Sequence, residues 1–187
     1  MKMCLIDGCH SSNRMIETYT CTTAEETFDL GDQIGKKLNA GDVLLLSGGL
    51  GAGKTLLTKG ILKALDFDTQ EVTSPSFALV NLYRTPKFNV YHIDLWRIPE
   101  GGDAAFAVGL SEILEDLESV IIIEWAERLG GIALDRRVAA VNIGGEGDEP
   151  RKITIESREL SAQPNAGLPR DVQDSPDRNS KQKRFDF

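Results

Sequence analysis

Residues 48–55 read Gly-Gly-Leu-Gly-Ala-Gly-Lys-Thr and follow directly on the apolar run Val43-Leu44-Leu45-Leu46. The spacing is G-x-x-x-x-G-K-[ST], set between a strand and a helix as that pattern requires. The glycines let backbone N–H groups turn inward around phosphates, and the following helix N-terminus adds positive potential. Lys54 is long enough to reach the β- and γ-phosphates, and the Thr55 hydroxyl suits Mg2+. The run Gly49, Leu50, Gly51, Ala52, Gly53, Lys54, Thr55 and Leu56 is therefore expected to hold a nucleoside tri- or diphosphate. The bland reading is a glycine-rich turn with a chance lysine. The agreement of strand, loop and helix signals in order speaks against it.

Binding phosphates is not yet a reaction, which also needs carboxylates for a metal and an oriented nucleophile. Glu124 closes the wholly apolar run Val120-Ile121-Ile122-Ile123 at a strand's C-terminal end, where α/β sheets take ligands. Asp94 closes Val90-Tyr91-His92-Ile93 in the same way. Each competes with a solvated acid at a strand end. With Thr55 they could hold Mg2+ and its waters, one of them serving as general base. Ser74-Pro75-Ser76-Phe77 lies where a switch loop would meet the γ-phosphate, and a plain turn is an equal alternative. His92 alternates with apolar neighbours and reads as a packed strand histidine rather than a base. Trp125 belongs either to the core or beside the nucleotide. Arg97, Arg128, Arg136 and Arg137 are either charge stabilisers or ordinary surface arginines. There is no N-K-x-D element for guanine, which favours ATP over GTP.

The elements that must position these residues are legible in outline. A strand is expected over 16–21. Thr23-Ala24-Glu25-Glu26 fits a capping box, with Phe28, Gly31, Ile34 and Leu38 at helical spacing and Gly41 as a stop. Strands are expected over 43–47, 78–84, 88–95 and 120–123, and late ones over 138–143 and 152–156. Helices are expected over 54–65, with Leu57, Ile61 and Leu65 on one face, and over 110–117. The fold class is α/β: a three-layer sandwich with a mainly parallel central sheet and some antiparallel strands. Residues 1–15 read as a tail, with Met15 a candidate start. Residues 16–156 form the domain, and 157–187, rich in Pro, Asn, Asp and Ser, read as a disordered tail.

Bulk properties narrow the partners. A chain of 187 residues with 41% hydrophobic residues can bury a real core. Its net charge of −8 does not suit it to hold a polyanion alone. If RNA is involved, a partner supplies the basic surface. Cys4, Cys9 and Cys21 form no CxxC, and Cys4, Cys9 and His10 lack a fourth metal ligand, so free thiols in a reducing compartment are expected. No apolar run approaches the roughly 20 residues of a membrane span, and no signal-peptide core is seen. The expected location is the cytoplasm.

Four blocks in order carry a specific resemblance: Gly48–Thr55, Val72-Thr-Ser-Pro-Ser-Phe-Ala-Leu-Val-Asn-Leu-Tyr83, Tyr91-His-Ile-Asp-Leu-Trp-Arg97 and Ile121-Ile-Ile-Glu-Trp125. Over residues 16–156 the chain resembles the TsaE family, the bacterial ATPase subunit of tRNA threonylcarbamoyladenosine biosynthesis. The resemblance implies a P-loop NTPase fold and an ATPase, slow alone, that works with a TsaD-type transferase and a TsaB-type scaffold. Together they place a threonylcarbamoyl group on the adenosine beside the anticodon of tRNAs reading codons that start with A. The ATPase subunit meets tRNA only through the complex and does not perform the transfer. The resemblance further implies that Lys54 and Thr55 serve phosphate and Mg2+, that Glu124 is a Mg2+ ligand, and that Asp94 is needed for hydrolysis. It sets Trp125 by the site and the stretch around Thr23 along the adenine. The chain departs from the family pattern at Gly49, usually Asp, at Trp96, usually Tyr, at Ser76, usually Thr, and at Asp103-Ala104, usually an acidic pair.

Two other classes compete. A free-standing P-loop kinase of a small metabolite would need an arginine-rich lid and an acceptor pocket, and no inserted lid is visible. A nucleotide-gated interaction module would bind without turnover.

Overall fold

The computed structural model of the chain describes residues 14–99 and 102–158. The remaining segments, with Cys4, Cys9, His10 and the tail from 159, lie outside the described residues. The elements follow as β1 (Arg14–Cys21), α1 (Ala24–Gly35), β2 (Val43–Gly48), α2 (Lys54–Ala64), β3 (Val80–Arg84), β4 (Asn89–Asp94), α3 (Ala104–Ala107), α4 (Leu110–Glu115), β5 (Val120–Glu124), β6 (Val138–Gly144) and β7 (Arg151–Arg158). Short 3-10 turns occupy Thr69–Glu71 and Ala126–Leu129.

The strands form one sheet in the order β1-β7-β6-β2-β5-β4-β3. Its centre, β6-β2-β5-β4, is parallel; β7 and β3 run antiparallel to it on either side, and β1 pairs antiparallel with β7 at the edge. The parallel strands are covered on both faces, which is why β5 is apolar without alternation and buried at every position. Leu44, Leu46, Val120 and Ile122 face α1 and α2, meeting Leu30, Leu57, Ile61 and Leu65. Val43, Ile121, Ile123 and Ile93 face the other way and pack on Ala104, Leu110 and Ile113 from α3 and α4. The result is the expected three-layer sandwich. Among the described residues, no helix is long and apolar enough to cross a membrane.

The strand ladder runs past both expected domain ends. Arg14 and Met15 of β1 pair with Arg158 and Ser157 of β7, so each strand extends two residues further because the other supplies its hydrogen-bond partners. Helix α1 stops at Gly35, earlier than the apolar spacing suggests. Leu38 packs on the core from a turn held by Lys37 N–H to the Ile34 carbonyl and Leu38 N–H to the Gly35 carbonyl. Helix α3, at four residues, is too short for periodicity to reveal. Asp103 caps it by accepting from Phe106 N–H at 2.9 Å.

The start of α1 is built as a capping box, shifted on one arm. Thr23 Oγ1 accepts from Glu26 N–H at 3.1 Å. The Glu26 carboxylate reaches back one residue further than the motif, to the N–H and hydroxyl of Thr22.

Helices α1 and α2 cross at glycines. A Cβ on Gly60 would lie 2.0 Å from the Phe28 carbonyl oxygen, and one on Gly31 would lie 2.3 Å from the Leu57 carbonyl oxygen. Only hydrogen at both positions lets the backbones touch, and that contact sets where α2 lies behind the phosphate loop. Gly60→Ala should destabilise the protein by about 1–3 kcal/mol, the range for overpacking a closed contact, despite alanine's better helix propensity. A urea melt followed by far-UV circular dichroism reads this directly; an unchanged midpoint would show that the helices part without cost.

Candidate functional site

The chemistry-bearing residues gather at the C-terminal ends of β2, β4 and β5. Parallel pairing places Leu46 opposite Glu124 and Asp94 opposite Glu124. The loop leaving β2 therefore starts beside the two acids, although they are far apart in sequence. His92, Asp94 and Glu124 all project from the sheet face that carries α1 and α2, because alternate residues of a strand share a face.

The loop closes through Gly53, whose φ of 109° is open to glycine at little cost. It delivers Lys54 and Thr55 into the first turn of α2. Lys54 Nζ donates to the carbonyls of Gly48 at 2.8 Å and Gly49 at 2.9 Å, and lies 3.8 Å from the centroid of the Trp125 ring. Burial pushes this ammonium below the ordinary lysine value, opposed by the attraction of Glu124, Glu127 and Asp94. Leu50 stands at the loop tip, largely exposed. An added Cβ at Gly49 would meet nothing within 4 Å.

Thr55 Oγ1 donates to Glu124 Oε1 at 2.8 Å, and His92 Nε2 lies 2.8 Å from the same oxygen. Asp94 accepts from the Ser74 hydroxyl at 2.7 Å through one oxygen and from Trp96 N–H at 2.8 Å through the other. The segment 72–77 is thus tied to Asp94 through Ser74 and not through Ser76, which sits half-buried on the same loop. Tyr83 helps to hold that loop, its hydroxyl donating to the Thr73 carbonyl at 3.0 Å. Leu79, at φ 65°, closes the turn by donating its N–H to the Pro75 carbonyl.

Trp125 follows Glu124 with a left-handed backbone, φ 58° and ψ 43°. That conformation costs a non-glycine residue about 1–2 kcal/mol. It aims the indole over Lys54 and against Trp96, with ring centroids 4.4 Å apart. The Arg128 guanidinium lies over both rings at 5.0 and 5.5 Å and donates to the Trp96 and Ile98 carbonyls. The two tryptophans and two cations wall one side of the loop. Of the other candidate arginines, Arg97 stacks on the exposed Phe77, Arg136 donates to the Leu114 and Asp116 carbonyls, and Arg137 pairs with Asp42. Arg136 and Arg137 precede β6, level with the start of β2 and so away from the phosphate loop.

On the opposite side a cleft of about 450 Å³ separates the loop from the β1–α1 junction and the β6–β7 turn. Thr23, Leu56, Gly51, Ala52 and Gly53 line it, together with Gly147 and Arg151. Arg151 Nε donates to the Ala52 carbonyl at 3.1 Å and its other nitrogens to the Glu149 and Gly147 carbonyls, strapping the turn to the loop. A second cavity, about 220 Å³ and mostly apolar, lies beneath α1 between Leu30, Ile34 and Ile155; of the candidate residues only Arg137, with Asp42, lines it.

Two contributors escape a reading of the sequence. Arg151 has no local signal, because its role depends on β7 returning beside the loop. His92 has one, its i, i+2 spacing from Asp94, but the same spacing fits a packed histidine. Among the described residues, no three or more His, Cys, Asp or Glu gather into a metal cage. The donor set of Thr55 and Glu124, all oxygen, fits Mg2+, which keeps several waters and takes phosphate oxygens with few protein ligands.

The family model described as "Threonylcarbamoyl adenosine biosynthesis protein TsaE" matches residues 21–153. A tRNA threonylcarbamoyladenosine biosynthesis protein TsaE of Mycobacterium tuberculosis is 39% identical over 137 residues, 67% of this chain and 80% of that one. The protein of the same name from Nostoc is 35% identical over 131 residues, 70% and 80% of the two chains. The crystal structure of YdiB from Bacillus superposes with a TM-score of 0.61 at 28% identity, covering 81% of this chain and 90% of that one. The matched stretch holds the phosphate loop, Asp94, Glu124 and the cleft in a single unit, and the chain belongs to the TsaE family.

Proposed function

We propose that this chain is a Mg2+-dependent, ATP-hydrolysing subunit in the formation of threonylcarbamoyladenosine in tRNA. It acts in the cytoplasm with a TsaD-type transferase and a TsaB-type scaffold. The observation that carries the reading is the convergence of Lys54, Thr55, Asp94 and Glu124 at one end of the parallel strands. In a net-acidic chain, contact with tRNA comes through the partners.

Each residue has a task in that reaction. The backbone N–H groups from Gly49 to Thr55 cradle the phosphates. Lys54 leaves the Gly48 and Gly49 carbonyls for the γ-phosphate, exchanging two neutral acceptors for a charged one. Thr55 and Glu124 would hold Mg2+, which would supply positive charge to offset that of the phosphates. Asp94, kept in place by Ser74 and Trp96 N–H, is positioned to orient the attacking water and accept its proton. The cleft beside Thr23 and Leu56 takes the base, with adenine favoured by the absence of a guanine-reading element. Trp125 shields the phosphate end from bulk water.

ATP hydrolysis measured on the purified chain should be slow alone and rise when both partner proteins are added. Indifference to the partners, with transfer to a small acceptor, would return the kinase reading. Lys54→Ala should raise the ATP dissociation constant by at least about tenfold, or about 1.4 kcal/mol. An affinity unchanged within about threefold would remove the phosphate-loop assignment. Glu124→Ala should lower Mg2+-dependent turnover far more than nucleotide affinity measured in EDTA. Equal losses of the two would mark Glu124 as structural.

A further inference from the structure

We infer that His92 is a positioning residue for the Glu124 carboxylate, holding it in the orientation that meets the metal ion. The inference deepens the reading of Glu124 as a Mg2+ ligand and rests on it.

The ring is fully buried, with none of its surface exposed, and its Nε2 lies 2.8 Å from Glu124 Oε1. Facing a carboxylate oxygen, Nε2 is the nitrogen that carries the proton. Nδ1 then keeps a lone pair with no partner among the described residues. A buried acceptor left unpaired is unfavourable, and an apolar side chain of similar size would carry no such penalty. Packing alone therefore favours leucine or methionine here, and the polar ring needs another reason. The bond to Glu124 supplies it.

That bond matters more when the metal is bound. In the present arrangement Glu124 Oε1 accepts from both Thr55 and His92. Were the Thr55 hydroxyl to turn to Mg2+, it would leave Glu124, and His92 would be the tether that remains. It stands on β4, two residues before Asp94, where β4 and β5 are paired in register. Outer-shell donors of this kind fix the direction of a ligating carboxylate and commonly change metal affinity by about 10–100-fold when removed.

The test titrates Mg2+ against binding of a fluorescent ADP analogue by the full chain, using wild type, His92→Leu, His92→Gln and Glu124→Ala. His92→Leu should move the Mg2+ midpoint up by about 10–100-fold while affinity for the analogue in EDTA stays within about threefold. His92→Gln, which retains an N–H donor, should recover most of the loss. A His92→Leu midpoint within about threefold of wild type would overturn the inference, as would equal shifts in the leucine and glutamine variants. A Glu124→Ala midpoint equal to wild type would instead remove Glu124 as a ligand, and the positioning role with it. Independently of metal, the chain has two histidines, so imidazole nitrogen NMR of the wild type can be assigned by loss of signals in either His92 variant. The proton of His92 should sit on Nε2; a proton on Nδ1 alone would overturn the inference even if the leucine variant does not fold.

Discussion

The hydrogen bond from Thr55 to Glu124 joins the two halves of the site, and it exists only because β2 and β5 are neighbours. Parallel pairing brings Leu46 level with Glu124, so the loop that leaves β2 turns over the acid that ends β5. The rest of the site follows from that adjacency. Asp94 enters because β4 is the next strand out, level with Glu124. The segment 72–77 is then tied down by Ser74 on Asp94. A different strand order would leave each motif intact and the site dispersed.

The adjacency is held by apolar packing on both faces of the sheet and by the crossing of α1 and α2. The first turn of α2 carries Lys54 and Thr55, and its axis is set by the Gly31–Gly60 contact. Buried leucines and isoleucines contribute about 1.5–3 kcal/mol each toward this arrangement. Against that, the site concentrates unfavourable features: a buried ammonium, a buried histidine nitrogen without a partner, and left-handed backbone at Trp125 and Leu79. Such strain persists where the surrounding structure over-determines it, and it commonly collects at functional positions.

Three positions that the resemblance marks as unusual have clear surroundings in the fold. Gly49 faces open space, so losing a side chain there disturbs nothing nearby. Trp96 lays its ring against Trp125, and Arg128 covers both. Asp103 retains a purely local task as the cap of α3. None of the three interrupts the line from Lys54 through Thr55 to Glu124.

The glycine-rich turn between β2 and α2 was legible in the residues themselves, because such a turn depends on backbone freedom at its glycines. The apolar strands, the capped start of α1 and the acids at strand ends were legible for the same reason: local periodicity encodes them. Which acid meets Thr55, that Ser74 rather than Ser76 holds Asp94, that Arg151 straps a distant turn to the loop, and that His92 serves Glu124 were not. Those facts depend on strand order and register, which are decided by how the two faces of the sheet are buried at once. No window of sequence contains that information, since each contact joins residues that only the packed core brings together.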